Sequence, residues 1–336
     1  LDSSAWPFSV AEVVSSRVDF IEASLGDRHS TQAAEFRWSR MALQSIVPIG
    51  GSSSTEAAGS AIRRTLDRMA IRWVRGLDAE VGFWHALLDP ATQDSPDVDT
   101  AAWDGAQRWL STGDVDWHYG DVCGFLADAR SRYGGIFGPH RVLNAGSGPL
   151  AAGDLKCGDS TSKVPVASAD GLARFYLQLH DVLGHSPPAV PVQCPVEALH
   201  RCFPHQHFDV VYIRNALDHV MDPLLALRQM LEVLRPGGWL LLRHARNEGV
   251  PGQFQLGLHQ WAFDIFDGSD GAPHFIIWNP SLRADVTSWL VGEGLAIEIQ
   301  AEMRDHPTGN AENGQYIWVN IRKPTKKKKK KKEKPL

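Results

Sequence analysis

The stretch FDVVYIRNALDHVMDPLLALRQMLEVLRPGGWLLL, residues 208–242, decides the fold. It begins with an apolar strand over 209–214 and continues into an amphipathic helix over 222–235. Pro236-Gly237-Gly238 ends that helix, and a second strand follows over 239–243. Strand, helix and strand in this order predict two parallel strands joined by a right-handed crossover. The same alternation precedes the stretch, with strands and one helix predicted at 141–145, 164–169, 189–193 and 171–183.

Beyond residue 243 the pattern favours antiparallel pairing. The runs 296–301 and 316–321 are joined by a polar segment that contains Asp305, Pro307, Gly309 and Asn310, which is typical of two antiparallel strands at a sheet edge. A short strand at 275–278 and a helix near 281–291 come before them. The sequence therefore predicts an α/β fold with a doubly wound, mostly parallel seven-stranded sheet and an antiparallel edge strand.

A mainly helical region precedes this α/β pattern. Over 62–88 apolar residues recur every three or four positions; they are Ile62, Leu66, Met69, Trp73, Leu77, Val81, Trp84 and Leu88. Tryptophans at helical spacing are more typical of a packed core than of an aromatic binding surface. We therefore expect a helical accessory region over 1–138, an α/β domain over 139–323 and a disordered Lys-rich tail over 324–336.

The net charge of −5 combines an acidic body with a basic tail. Residues 326–334 carry eight lysines and one glutamate, which leaves −12 for the rest of the chain. A lysine run is either a tether for nucleic acid or anionic membrane, or a solvated tail. Because the acidic body offers no basic face to extend such a contact, the solvated tail is favoured. We expect neither a nucleic-acid nor a membrane partner.

The cysteines, at irregular spacing, do not resemble the disulfide framework of a small secreted domain; they are Cys123, Cys157, Cys194 and Cys202. No apolar run approaches the roughly 18 residues of a membrane span. These features favour a reducing, cytoplasmic location. The chain begins with Leu1, so a leader or further sequence ahead of it stays open.

Two cysteines and two histidines, which are possible metal ligands, fall close together at Cys194, Cys202, His205 and His207. Their Cys-x2-His-x-His spacing is not a usual zinc pattern. The sequence predicts no metal.

The segment RVLNAGSGPL, 141–150, ends a core strand on Gly146 and Gly148. Glycines at the carboxyl end of a parallel strand let the backbone approach a ligand closely. The dinucleotide fingerprint permits Ala151 at its third glycine position. Asp170, 22 residues after Gly148, ends the second strand, where a carboxylate can accept hydrogen bonds from both hydroxyls of a ribose. Alternatively, it caps the helix that follows.

These motifs resemble the S-adenosylmethionine-dependent methyltransferases of the Rossmann-like class, the type 11 group in particular. The resemblance covers about 141–322, and 208–242 is its most specific part. HARNEG (244–249) and GLHQWAF (257–263) resemble a bacterial-type subgroup. The resemblance implies S-adenosyl-L-methionine as cofactor and transfer of a methyl group to an O or N atom of a small-molecule or sugar-like acceptor.

The resemblance also implies a set of cofactor-binding residues. The methionine part would lie against 144–148 and Asn215, the ribose against Asp170, and the adenine against 196–197. By name the set is Asn144, Ala145, Gly146, Gly148, Asp170, Val196, Glu197 and Asn215. Two residues depart from the family: an acid is usual where Asn144 stands, and an aspartate is frequent where Pro195 stands.

Three residues are candidates for catalysis. His219, beside Asp218, follows the fourth strand and is predicted to take the acceptor's proton. His259 is the second candidate and lies in a segment inserted after the fifth strand. Each histidine has a structural alternative, a helix cap or a hydrogen bond to backbone.

Two other functions remain open. A nicotinamide-dependent oxidoreductase would share the fold, but Pro149-Leu150 interrupts the turn that should grip a pyrophosphate. A catalytically lapsed relative would keep the sheet as a binding platform, and the residues at 144 and 195 favour it. The oligomeric state is not indicated.

Overall fold

A computed structural model describes residues 46–48, 55–92, 100–112, 121–133, 141–157, 163–269, 271–305 and 314–325. The helices are α1 Thr55–Leu88, α2 Thr100–Thr112, α3 Val122–Tyr133, α4 Ala173–Val182, α5 Leu199–Cys202, α6 Pro223–Val233 and α7 Val286–Gly292. The strands are β1 Ile46–Pro48, β2 Val142–Ala145, β3 Asp154–Lys156, β4 Lys163–Asp170, β5 Val192–Gln193, β6 Phe208–Arg214, β7 Leu234–Ala245, β8 Ala262–Asp267, β9 Pro273–Asn279, β10 Leu282–Asp285, β11 Glu298–Asp305 and β12 Gln315–Arg322. The Lys-rich run at 326–334, Trp117 and most of 1–54 lie outside these residues.

The main sheet has the order β11-β12-β7-β6-β2-β4-β3, and β5 also pairs with β4. Its central strands β7, β6, β2 and β4 are parallel neighbours, and β12 and β11 extend it antiparallel. The predicted fold class, a mostly parallel sheet with an antiparallel edge after a helical region, is confirmed, but the described residues form eight strands of this sheet rather than the predicted seven. The carboxyl ends of β2, β4 and β6 meet at one rim of the sheet, where a ligand of an open α/β sheet binds.

Three strands after β7 and the amino-terminal strand β1 form a second sheet that the sequence did not reveal. Its order is β1-β10-β9-β8, with antiparallel pairs throughout. The helix expected near 281–291 is partly wrong, because residues 282–285 form β10 and the helix starts at Val286. Asp285 caps that helix by accepting from the Ser288 amide at 2.9 Å, so the start signal lies inside the predicted helix.

No helix joins β2 to β4 among the described residues between them. A turn and the short β3 take its place, and β3 runs antiparallel to β4. Helices α2 and α3 from the amino-terminal region cover this face of the sheet instead. The fully buried Trp109 of α2 donates from Nε1 to the carbonyl of Ala151 at 3.1 Å. The amino-terminal helices thus supply a layer that a doubly wound sheet requires on each face.

Helix α1 lies across the rim where the strands end. Its residues Trp73, Leu77 and Val81 are buried against Tyr176 and Leu258. Residues Leu172, Phe175 and Met221 complete this contact. Burial of a large apolar side chain contributes roughly 1.5–3 kcal/mol, so several such side chains hold α1 firmly over the strand ends. The apolar stripe predicted at 62–88 therefore packs against other parts of the fold through Trp73, Leu77 and Val81.

All four cysteines are paired, Cys123 with Cys157 and Cys194 with Cys202. The expectation that the chain lacks a disulfide framework is wrong. The spacing along the sequence could not reveal that α3 and the end of β3 come together in space. Stable disulfides are more typical of oxidising compartments, and the cytoplasmic location stays a prediction. None of the helices in the described part of the chain has the length and apolarity that crossing a membrane requires.

Candidate active site

The turn after β2 has the conformation that only glycine adopts without strain. Gly146 and Gly148 have φ values of +64° and +61°. A Cβ on Gly146 would stand 2.5 Å from the Cβ of Ala216, which follows β6. The positive φ requires glycine at both positions, and the close contact with Ala216 requires it at 146 as well. The turn leaves bare backbone at the rim.

Asp170 lies against this turn. Its Oδ2 accepts from the Gly148 amide at 2.9 Å, and its Oδ1 accepts from the Leu172 amide at 2.7 Å. The residue is 8% exposed. Burial raises the pKa of Asp170 to about 6, against the opposing effect of these two amides. The sequence allowed two roles for Asp170, a helix cap and a ribose ligand. Its carboxylate bonds to the chain just before α4 and also lies at the glycine turn, so its position is compatible with both.

The predicted adenine loop follows β5. Val196 and Glu197 are buried, and the disulfide between Cys194 and Cys202 closes this loop. Oε1 of Glu197 accepts from the amides of Met221 and Asp222 at 2.8 and 3.3 Å. Burial also raises the pKa of Glu197. Its carboxylate thus joins two loops of the rim, which is a structural contact that the sequence did not indicate.

The remaining predicted cofactor residues lie at the ends of β2 and β6. Ala145 is fully buried, and the nearly buried Asn144 stands between Ser168 and Tyr212 on the neighbouring strands. Asn215 has a φ of +44°, and its Oδ1 accepts from the Tyr316 hydroxyl at 2.7 Å. The structure therefore brings Asn144, Gly146, Gly148, Asp170 and Asn215 to the same rim.

The three predicted catalytic residues form one cluster. Nδ1 of His259 is 2.6 Å from Oδ2 of Asp218 and 3.1 Å from Nε2 of His219. Asp218 is fully buried, whereas the His219 and His259 side chains keep 17% and 28% exposure. The segment 246–261 thus brings His259 back to the end of β6. The cluster is open to a ligand on its histidine side.

Charges at the cluster favour a protonated His259. Burial opposes its ionisation, but the hydrogen bond and charge of Asp218, with Glu248 and Glu80, outweigh it and raise the pKa of His259 to about 9. Burial also disfavours the Asp218 carboxylate, yet the two histidines hold the pKa of Asp218 below its usual range. The pair is therefore an imidazolium and a carboxylate at neutral pH. Burial, with the charge of Asp218, raises the pKa of Glu248 to about 7.

Asp218, His219 and His259 also have the chemistry of metal ligands, since three ligand atoms lie within 4.8 Å of one another. The distance between Asp218 Oδ2 and His259 Nδ1 is 2.6 Å. Two ligands of one ion with bonds of about 2.0–2.1 Å stand roughly 2.8–3.4 Å apart. The shorter distance fits a charge-assisted hydrogen bond. At Cys194 and Cys202, where the sequence predicts no zinc site, the two cysteines are bonded to each other and offer no thiolate.

Sequence reasoning missed two residues of α1 that reach the rim. The Glu80 side chain is 13% exposed, and its Oε2 lies 3.6 Å from Nδ1 of His219. Nε1 of Trp84 donates to Oε1 of Glu80 at 2.9 Å, and the indole covers Gly148, 3.0 Å from where its Cβ would be. A signal was present, because Glu80 falls on the apolar stripe, three residues after Leu77. A carboxylate on a buried helix face indicates a specific role, because acidic side chains are rarely buried unless they are paired.

Residues 177–242 match a family model described as a methyltransferase domain. This segment is similar to the methyltransferase domain family. It runs from α4 through β6 and α6 to β7, and includes Asp218 and His219. Over it the predicted resemblance to methyltransferases of type 11 is confirmed.

Curated relatives match over a short segment. The ubiquinone/menaquinone biosynthesis C-methyltransferases UbiE of Shewanella sediminis and Shewanella woodyi are each 49% identical over 51 residues. This is 15% of this chain and 20% of each relative, so the chain spans about a fifth of the length of these relatives.

Solved structures of methyltransferases are similar at low identity. An S-adenosylmethionine-dependent methyltransferase from Mesorhizobium loti is 15% identical, covers 59% of this chain and 96% of its own, and has a TM-score of 0.34. The N-methyltransferase NodS from Bradyrhizobium japonicum, in complex with S-adenosylhomocysteine, is 13% identical over 66% of this chain and 97% of its own, with a TM-score of 0.33.

Proposed function

We propose that this chain transfers the methyl group of S-adenosylmethionine to an O or N atom of a small-molecule or sugar-like acceptor. The observation that carries the proposal is the contact between Gly148 and Asp170, with the cluster of Asp218, His219 and His259 at the next strand end. The first would bind the adenosyl group, and the second would face the methyl group. Helix α1, over the same rim, would exclude water.

The reaction is a single displacement. A lone pair of the acceptor forms the new bond to the methyl carbon while the carbon–sulfur bond breaks, and its electron pair returns to sulfur to give a neutral thioether. Positive charge leaves the sulfonium, so alignment and exclusion of water supply most of the acceleration. The acceptor's proton goes to a base. His259 already holds its proton at neutral pH, which leaves His219 to receive it.

The residues keep distinct roles in this proposal. Asp170 accepts from the ribose hydroxyls, the turn at 144–148 with Asn215 holds the methionine part, and Val196 with Glu197 borders the adenine. His219 is the base, and the His259–Asp218 pair positions it. Small-molecule acceptors suit a rim covered by α1 and by the segment 246–261. Neither a nucleic-acid nor a membrane partner is part of the proposal.

Calorimetry with S-adenosylmethionine, S-adenosylhomocysteine and NADH tests the cofactor. We expect binding of both sulfur nucleosides and none of NADH, which also decides against the oxidoreductase. Asp170→Ala should weaken S-adenosylhomocysteine at least tenfold, because buried hydrogen bonds to a charged group contribute about 1.5–3 kcal/mol each. The matched control is Asp154→Ala, since that carboxylate pairs with Lys163 on the surface. Wild-type protein that binds neither nucleoside at millimolar concentration would support the binding platform instead.

Turnover is tested by screening acceptor pools with radiolabelled methyl donor. Once an acceptor is found, His219→Ala should lower kcat by about 10²–10⁴-fold and change the Kd of S-adenosylhomocysteine by less than threefold. Equal losses in both would mean that His219 is a structural residue.

A further inference from the structure

Helix α1 brings a second carboxylate to the rim, that of Glu80. One oxygen accepts from Trp84 Nε1 at 2.9 Å, and the other lies 3.6 Å from His219 Nδ1. Its charge also acts on Asp170 and on Tyr176. Glu80 therefore stands between the glycine turn, which Trp84 covers, and the histidine cluster. The side chain is largely buried and faces the site rather than solvent.

The amino-acid end of S-adenosylmethionine requires a negative partner in that region. At neutral pH it carries a primary ammonium beside the sulfonium, and a buried cation is costly unless a carboxylate pairs with it. Near the end of strand β2 stands the neutral Asn144, between β4 and β6. Its amide can accept a hydrogen bond but supplies no charge. Asp170 is already engaged by the amides of Gly148 and Leu172, at the position predicted for the ribose.

We propose that the carboxylate of Glu80 binds the ammonium group of the cofactor's methionine part, so that α1 supplies the charge that β2 lacks. This inference rests on the proposed function, because it takes S-adenosylmethionine as the ligand. The Trp84 indole is a positioning residue: it holds one oxygen of Glu80 and leaves the other toward the site. Helix α1 is then part of the cofactor site and not only its cover.

The chemistry of two further ligands tests this contact. 5′-Methylthioadenosine keeps the adenosyl group and the thioether but lacks the amino-acid portion, and the deaminated analogue of S-adenosylhomocysteine lacks only the ammonium. Calorimetry would measure the Kd of both and of S-adenosylhomocysteine for the wild type and for Glu80→Gln. The matched control is Asp78→Asn, which removes the same charge from the exposed face of the same helix.

Glu80→Gln should weaken S-adenosylhomocysteine about tenfold or more, the loss that follows when one partner of a buried charge pair is removed. The same variant should bind 5′-methylthioadenosine within twofold of the wild type, and Asp78→Asn should change neither. Removal of the ammonium should weaken the ligand for the wild type but have little further effect on Glu80→Gln, because the two changes remove one interaction.

Three results would overturn the assignment of Glu80. The variant could weaken both nucleosides equally, which indicates a structural role, or leave S-adenosylhomocysteine unchanged while turnover falls, which indicates a partner of His219 only. If Glu80→Gln does not fold, wild-type protein that binds the deaminated analogue as tightly as S-adenosylhomocysteine also decides against the contact. Wild-type protein that binds none of these nucleosides would instead remove the proposed function.

Discussion

The backbone amide of Gly148 donates to Oδ2 of Asp170 at 2.9 Å across 22 residues of sequence. This bond holds the carboxylate at the end of β4 against the turn that follows β2. Each oxygen of Asp170 accepts one backbone amide and keeps lone pairs for a further donor. The turn and the carboxylate are therefore bonded to each other. A change in the charge of Asp170 acts directly on the backbone of the turn.

Cofactor affinity should fall below about pH 6. Burial raises the pKa of Asp170 to about 6, and only the ionised carboxylate can accept from both ribose hydroxyls. Each pH unit below 6 should then weaken S-adenosylhomocysteine by up to about tenfold. Calorimetry between pH 5 and 8 measures this, and Asp170→Asn, which has no charge to lose, should show a flat profile. An equally flat wild-type profile would contradict the assignment.

The same pKa has the opposite sign for the stability of the free protein. A carboxyl whose pKa is higher in the folded state than in the unfolded chain favours folding at low pH. That contribution is lost as pH rises from about 4 through 6. Above about pH 6, the ionised Asp170 therefore favours cofactor binding but no longer contributes to the stability of the fold.

Two glycines of α1 should respond to alanine in opposite directions. A Cβ on Gly76 would stand 2.3 Å from the carbonyl oxygen of Gly257, whereas a Cβ on Gly82 would meet nothing within 4 Å. Gly76→Ala should force α1 away from the segment 246–261 and destabilise the fold by about 1–3 kcal/mol. Gly82→Ala should stabilise it by about 0.5–1 kcal/mol. Denaturant unfolding measures both, and equal shifts would mean that α1 does not lie against Gly257.

The succession of strands and helices in the parallel part of the sheet could be predicted from the sequence, because periodicity and strand-end motifs are local. Residues 208–242 specify β6, α6 and β7 within 35 residues, and their crossover has one permitted hand. That the described residues 146–157 between β2 and β4 form no helix could not be seen from local sequence. Helix α2 packs there instead, and its Trp109 donates to the carbonyl of Ala151, a contact across 42 residues that no periodicity records.

In the candidate site, too, local features could be predicted from the sequence and contacts between distant segments could not. Asp170 and the glycine turn could be predicted because parallel strands end at one rim. The contact of Glu197 with the amides of Met221 and Asp222 could not be predicted, because it depends on how two loops pack. Glu80 could be predicted only in part. Its place on an apolar helix stripe was visible, but the direction of α1 across the rim was not.

Reduction should destabilise the protein mainly through the bond between Cys123 and Cys157. That bond links α3 to the end of β3 across 34 residues, whereas Cys194 and Cys202 are 8 residues apart. Closing the longer loop should contribute about 2–4 kcal/mol and the shorter loop less. The double variant Cys123→Ala/Cys157→Ala should therefore lower the free energy of unfolding more than Cys194→Ala/Cys202→Ala. Alkylation of four thiols without prior reduction would show that neither bond forms.

Removal of divalent ions should change neither folding nor cofactor binding. The distance of 2.6 Å between Asp218 Oδ2 and His259 Nδ1 fits a hydrogen bond from the imidazolium to the carboxylate, and we expect this bond rather than an ion. After dialysis against EDTA, the Tm and the Kd of S-adenosylhomocysteine should stay constant, and added Zn²⁺ or Mn²⁺ should raise neither. His259→Ala is the matched variant: it should destabilise the fold by about 1–3 kcal/mol, since it leaves the buried Asp218 without that donor. A Tm that rises with micromolar Zn²⁺ in the wild type, and not in His259→Ala, would show that an ion occupies the position assigned to the proton.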